Sequence, residues 1–182
     1  GGLELLRIPY TGSGVLASAL GMDKWTGRKI LDISGIDVPR TLPVFRGQWT
    51  PDSREAILKR ISSEIGYPCV VKPTREGCST AVRKVVSAEG IPEALDGAFA
   101  WDDVALVEEF LTGMEVTCGV FGNDQPVALT PSETIPTTAI LSLEDKFLYG
   151  QGENKTPARL PGETMEKIRD VAVRTFQALD LK

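Results

Sequence analysis

The residues here that could do chemistry are two lysines, a short loop of small and polar residues, and a few carboxylates. Lys72 ends the run Cys69-Val70-Val71-Lys72, and after Pro73 come Thr74-Arg75-Glu76-Gly77-Cys78-Ser79. An ammonium beside a Gly/Ser loop can hold phosphate. The lysine supplies charge, and backbone N–H groups that glycine leaves unobstructed supply donors. Lys24 is a second cation, and Glu108 and Glu115 are candidate acceptors. A nucleotide asks for such a set: cations for its phosphates, an acceptor for an exocyclic amine, and a carboxylate for ribose hydroxyls. Each of these residues taken alone also reads as a solvated surface charge, and 69–85 as an ordinary hairpin. On the phosphate reading, removing Lys72 weakens nucleotide binding strongly and leaves the melting temperature of the ligand-free protein nearly unchanged. The loop is neither a Walker motif nor a dinucleotide fingerprint, because the required glycine and lysine spacings are missing.

Composition narrows the chemistry further. The chain of 182 residues contains no histidine, which excludes Ser-His-Asp and Cys-His catalysis and histidine-based metal sites. Cys69, Cys78 and Cys118 are far apart and odd in number, which fits a reducing compartment better than a disulfide framework or zinc site. A net charge of -5 argues against nucleic-acid or membrane-surface binding as the main task. No apolar run approaches the length of a membrane span, and the first residues lack a signal peptide's basic and apolar regions. The expectation is a cytoplasmic globular protein of one domain, or two small ones.

The elements that must position these residues follow from pattern. Residues 3–12 predict a short apolar strand fragment. Helices are predicted over 15–22 and 24–34, with Gly35 as the stop and Trp25, Ile30 and Ile33 as an apolar face. Residues 38–45 predict extended chain. Asp52 and Glu55 predict a capping box for a helix to about Ile65, with Ile57, Leu58, Ile61 and Ile65 as its stripe. Strands are predicted at 69–72, with Pro73 ending the ladder, and at 82–86. A short helix over 88–98 and a strand over 104–110 follow. A strand over 115–121 points Val116, Cys118 and Val120 inward, then turns at 123–125 into 126–129. Residues 130–160 predict a long irregular stretch, mobile over 134–158 until a ligand orders it. A closing helix carries Met165, Ile168, Ala172, Phe176 and Leu179 on one face, which is only partly covered.

Four segments together resemble one family. Ile8-Pro-Tyr-Thr-Gly-Ser-Gly-Val-Leu-Ala-Ser-Ala-Leu-Gly-Met-Asp-Lys24 is similar to the segment linking the first and central domains of D-alanine–D-alanine ligases. Val70-Val-Lys-Pro-Thr-Arg-Glu-Gly-Cys-Ser79 resembles their phosphate loop. Leu106-Val-Glu-Glu-Phe-Leu-Thr-Gly-Met-Glu-Val-Thr117 resembles their adenine and ribose strand pair. Glu144-Asp-Lys-Phe147, with Thr156-Pro-Ala-Arg-Leu160, looks like their mobile active-site loop. The order and spacing are compatible, and the resemblance covers nearly the whole chain.

The resemblance implies an α+β ATP-grasp fold, two α+β subdomains clamping ATP, incomplete at both ends. It implies boundaries at 1–25 for the end of a substrate domain and linker, 26–111 for a central subdomain and 112–182 for a C-terminal one. It implies ATP-dependent joining of two D-alanines through an acyl phosphate, for peptidoglycan synthesis, with Mg²⁺ (or Mn²⁺) and a homodimeric parent. By position, Lys24, Lys72 and Lys146 would bind phosphates. Glu76, Gly77, Cys78 and Ser79 would cover them, with Ser79 and Lys146 nearest the chemistry. Glu108 would accept from the adenine amine, Glu109 and Leu111 would offer backbone groups to the base, and Glu115 would hold the ribose. Cys78 stands where serine is frequent and Phe147 where tyrosine is, which puts a hydroxyl relay and second-substrate choice in question. The family's arginine and metal ligands follow a helix like 163–179. The chain is therefore expected to be a fragment, inactive alone, with no metal ligand of its own. The alternatives are another ATP-grasp carboxylate–amine ligase and a non-catalytic nucleotide-binding module.

Overall fold

The computed structural model describes residues 1–136 and 153–182. The chain divides into two compact units. One comprises Gly1–Val38, Met114–Ile135 and Asn154–Lys182, and the other is built on Pro39–Gly113.

The second unit is a four-stranded antiparallel sheet with helices on one face. Its strands are β1 (Thr41–Phe45), β2 (Cys69–Pro73), β3 (Arg83–Val85) and β4 (Val104–Glu109), in the order β1-β4-β2-β3. β2 sits in the middle because its alternation buries Cys69 and Val71 on the helix-packed side. Ala105 and Val107 of β4 and Leu42 and Val44 of β1 share that side. Helix α4 (Arg54–Arg60) runs into a π-helical turn, Ile61–Ile65, and helix α5 is Ile91–Phe99. Ile61, Ile65, Ile91, Leu95 and Phe99 close the core. β2 and β3 form the expected hairpin.

The first unit holds helices α1 (Gly2–Leu5), α2 (Val15–Met22), α3 (Lys24–Ile33) and α6 (Gly162–Ala178). Strands β5 (Glu115–Thr117), β8 (Ser132–Ile135) and β9 (Glu153–Lys155) form one sheet in the order β5-β8-β9. Strands β6 (Val120–Phe121) and β7 (Val127–Ala128) form a separate hairpin. Gly27 is the buried residue of α3. A Cβ there would lie 2.9 Å from the Leu20 carbonyl oxygen, so only glycine lets α2 and α3 approach this closely. Arg174 of α6 donates to the carbonyls of Ser34 and Gly35, satisfying groups that the end of α3 leaves unpaired.

Several sequence expectations are corrected. Residues 3–12 hold the short helix α1, not a strand, since the Leu5 and Leu6 N–H groups bond back to Gly1 and Gly2. Ile33 is exposed, so the apolar face of α3 excludes it. Asp52 does not cap α4. Ser53 and Thr50 hydrogen-bond to each other at its entrance, and Glu55 pairs with Lys59 instead. Pro73 stays in the ladder opposite Ala105, where its missing N–H costs nothing on the side it faces. The strand over 115–121 is broken at Cys118-Gly119 into β5 and β6, in different sheets. The stretch 130–160 contains β8 and β9. The remainder of the expected mobile loop, with Lys146 and Phe147, lies outside the described residues.

Candidate functional site

Strand alternation brings the first two candidates together. On the sheet face opposite the helices lie Val70 and Lys72 of β2 and Leu106 and Glu108 of β4. The register pairs Val70 with Glu108 and Lys72 with Leu106, so Lys72 and Glu108 are diagonal neighbours within reach of long side chains. Their ion pair spans 2.8 Å, with side chains only 17% and 6% exposed. At that burial each charge needs its counterpart, because an uncompensated one is costly away from water. The lysine held for phosphate and the glutamate held for a base amine are therefore partners in this structure.

The loop beyond β2 is anchored at its root. The Thr74 N–H and hydroxyl both donate to the Val104 carbonyl, each at 3.1 Å. Arg75 grips Asp102: its backbone N–H and Nε donate to Oδ2 at 2.9 and 3.2 Å, and Nη2 to Oδ1 at 2.5 Å. Oδ1 also accepts from the Asp103 N–H at 2.7 Å. Burial alone would raise the Asp102 pKa, but the Arg75 guanidinium and backbone N–H outweigh it and hold the carboxyl below its ordinary range. Beyond this root, Cys78 and Ser79 take left-handed backbone conformations (φ 52° and 62°), as does Ala81 (φ 51°). Such conformations are sparse for side-chain-bearing residues and concentrate where a loop is over-determined. Gly77 keeps open space: a Cβ would meet nothing within 4 Å. Cys78 is exposed, whereas Cys69 is buried and its thiol pKa is pushed up to about 11.

At the far end of β4, Glu109 faces Arg40. The Arg40 backbone N–H and Nε each donate to the carboxylate at 2.8 Å, which lowers the Glu109 pKa. The Glu109 N–H donates to the Arg40 carbonyl. Leu111 lies past the strand end and is exposed.

In the other unit, Lys24 is the first residue of α3, where Asp23 caps the helix by accepting from the Thr26 N–H at 2.8 Å. Glu115 opens β5 on its exposed face, paired with Thr134. Inward from β5 and β6, Val116, Cys118 and Val120 line an apolar cavity of about 560 Å³ with Ile168, Ala172 and Phe176 of α6. This matches the partly covered helix face expected from the sequence. Glu133 of β8 is buried and clamped by Arg159 at 2.7 and 2.6 Å, and the guanidinium holds its pKa down.

The structure thus gathers Lys72, Glu76, Gly77, Cys78, Ser79, Glu108, Glu109 and Leu111 in one unit, and Lys24 and Glu115 in the other. Among the described residues, no group of three His, Cys, Asp or Glu side chains is placed to hold a metal ion. None of their helices is long and apolar enough to cross a membrane. Asp102, Arg40 and the Glu133–Arg159 clamp were not singled out from the sequence. Their partners lie 27, 69 and 26 positions away, beyond any local pattern.

Residues 30–182 match the family model described as the D-ala D-ala ligase C-terminus. The D-alanine–D-alanine ligase of Pelotomaculum thermopropionicum is 40% identical over 97% of this chain and 56% of its own length. That of Acetivibrio thermocellus is 42% identical over 97% of this chain and 47% of its own length. The chain spans about half the length of the curated relatives it matches. Among solved structures, the VanG D-Ala:D-Ser ligase from Enterococcus faecalis superposes with a TM-score of 0.86 at 31% identity, covering 98% of this chain and 51% of that one. The D-alanine–D-alanine ligase from Coxiella burnetii gives 0.78 at 25% identity, covering 99% and 46%.

Proposed function

The chain belongs to the D-alanine–D-alanine ligase family, with the ATP-grasp fold of its relatives, and from that premise we propose that it supplies ATP-binding machinery for joining two D-alanines in peptidoglycan synthesis. In this reading a D-alanine carboxylate takes the γ-phosphoryl group of ATP, giving an acyl phosphate and ADP. The amine of the second D-alanine attacks the acyl carbon, and phosphate leaves from the tetrahedral intermediate. The protein's part is to position anions and neutralise their charge, which lysines and backbone donors do without histidine. Lys72, Lys24 and Lys146 bind the phosphates, and Glu76 to Ser79 cover them, with the Ser79 hydroxyl toward the substrate. Glu108 accepts from the adenine amine, Glu109 and Leu111 flank the base, and Glu115 holds the ribose. Mg²⁺ (or Mn²⁺) supplies charge neutralisation when bound. The described residues offer no three-ligand set for it. A cytoplasmic homodimer, with subdomains over 26–111 and 112–182 after a linker over 1–25, completes the reading.

The observation that carries this is the placement of Lys72 and Glu108 on one sheet face, with the anchored loop directly after β2. The test is ADP release by the full-length gene product with ATP, Mg²⁺ and D-alanine. D-alanine-dependent release is expected. ATP binding with no release under any amino acid would instead leave a non-catalytic nucleotide module. Similarity to a D-Ala:D-Ser ligase favours one further arm, D-serine as acceptor. Release that needs both D-alanine and D-serine would reassign the second substrate.

A further inference from the structure

We propose that Asp102 is a positioning residue for the phosphate-covering loop, acting through Arg75. This rests on the nucleotide reading above and adds to it a residue outside the loop. Asp102 is buried, its side chain 3% exposed, at the turn that leads from α5 into β4. Both of its oxygens are spent on fixing the chain. Oδ2 takes the Arg75 backbone N–H and Nε; Oδ1 takes Arg75 Nη2 and the Asp103 N–H. Two more hydrogen bonds tie Thr74 to Val104, two residues further on. Residues 74 and 75 are therefore stapled to 102–104 by bonds to a carboxylate and a carbonyl, the stronger of which are charge-assisted.

This anchor precedes the loop's improbable part. Cys78, Ser79 and Ala81 hold left-handed backbones that relax readily unless the flanks fix them. On the other side β3 enters the sheet at Arg83. A loop with one flank in a strand and the other in the Asp102 staple has its donors set before phosphate arrives, which lowers the ordering cost of binding. Loosening the staple therefore weakens contacts to phosphate and leaves contacts to adenosine alone.

The experiment compares ATP, ADP and adenosine binding by calorimetry in the full-length gene product and three variants. In Asp102→Asn and in Arg75→Lys, which keeps the charge but loses the fork, ATP and ADP dissociation constants should rise about tenfold, a change the loss of a few charge-assisted bonds can produce. Adenosine affinity should stay within about twofold, a split that general destabilisation does not make. Asp103→Asn removes only the exposed pair with Arg46 and should change none of the three. Arg75 is half-exposed, so Arg75→Lys reports even where Asp102→Asn fails to fold. Equal loss for adenosine and ATP, or no loss for ATP, overturns the positioning role alone. Failure of the unmodified protein to bind ATP overturns the nucleotide reading and this inference with it.

Discussion

Lys72 illustrates what a single residue's environment does to an expectation. From the sequence its removal is expected to weaken nucleotide binding and to leave the stability of the ligand-free protein nearly unchanged. In the structure it neutralises a carboxylate that is 6% exposed. Lys72→Ala therefore removes the ammonium 2.8 Å from the buried Glu108 carboxylate, and the expected cost is about 1–3 kcal/mol by urea denaturation. Adding Glu108→Gln to that variant removes the buried charge and should recover part of the loss. ATP affinity separates the two roles. It should fall at least about tenfold in Lys72→Ala and should not return in the double variant, since an amide supplies no cation. Recovery of ATP binding together with stability would show that Lys72 serves the sheet and not the phosphates.

Whole elements show why some of the molecule was legible and some was not. Strands β2 and β4 announce themselves through β-branched runs, and α2, α3 and α6 through spacing and stops, so the scaffold under Lys72 and Glu108 could be drawn from sequence. Helix α1 could not: an apolar run this short carries no periodicity that separates strand from helix. The break between β5 and β6 was hidden because Val116, Cys118 and Val120 keep their alternation across it. The Asp102 staple and the Glu133–Arg159 clamp were invisible because each joins distant residues whose types look like ordinary surface charge. Gly27 is a case where the element explains the residue. In an exposed helix Gly→Ala would stabilise by up to about 1 kcal/mol. Here the added methyl meets a backbone carbonyl at 2.9 Å, and overpacking of this kind costs about 1–3 kcal/mol. Gly27→Ala should lower the denaturation midpoint, and a raised midpoint would mean that α2 and α3 separate freely.

At the scale of the molecule, the two units share one electrostatic device, a buried carboxylate forked by a half-exposed arginine. Asp102 with Arg75 is one, and Glu133 with Arg159 the other. Both carboxyls have pKa values held below their ordinary range. A depressed folded-state pKa means that the unfolded chain binds protons more readily, so the stabilisation is whole above the unfolded values of about 3.9 for Asp and 4.3 for Glu. It is lost as the pH falls through those values toward the lower folded ones. Stability against urea should therefore hold between about pH 7 and pH 5 and fall below about pH 4.5. Asp102→Asn and Glu133→Gln should each lower stability at pH 7 and flatten that acid fall, because the variant has one fewer proton to take up on unfolding. Among the described residues the two carboxylates have different partners, so the flattening should be additive in the double variant to within about 0.5 kcal/mol. An acid limb as steep in the double variant as in the parent would place acid sensitivity elsewhere, in less buried carboxylate pairs such as Glu109 with Arg40.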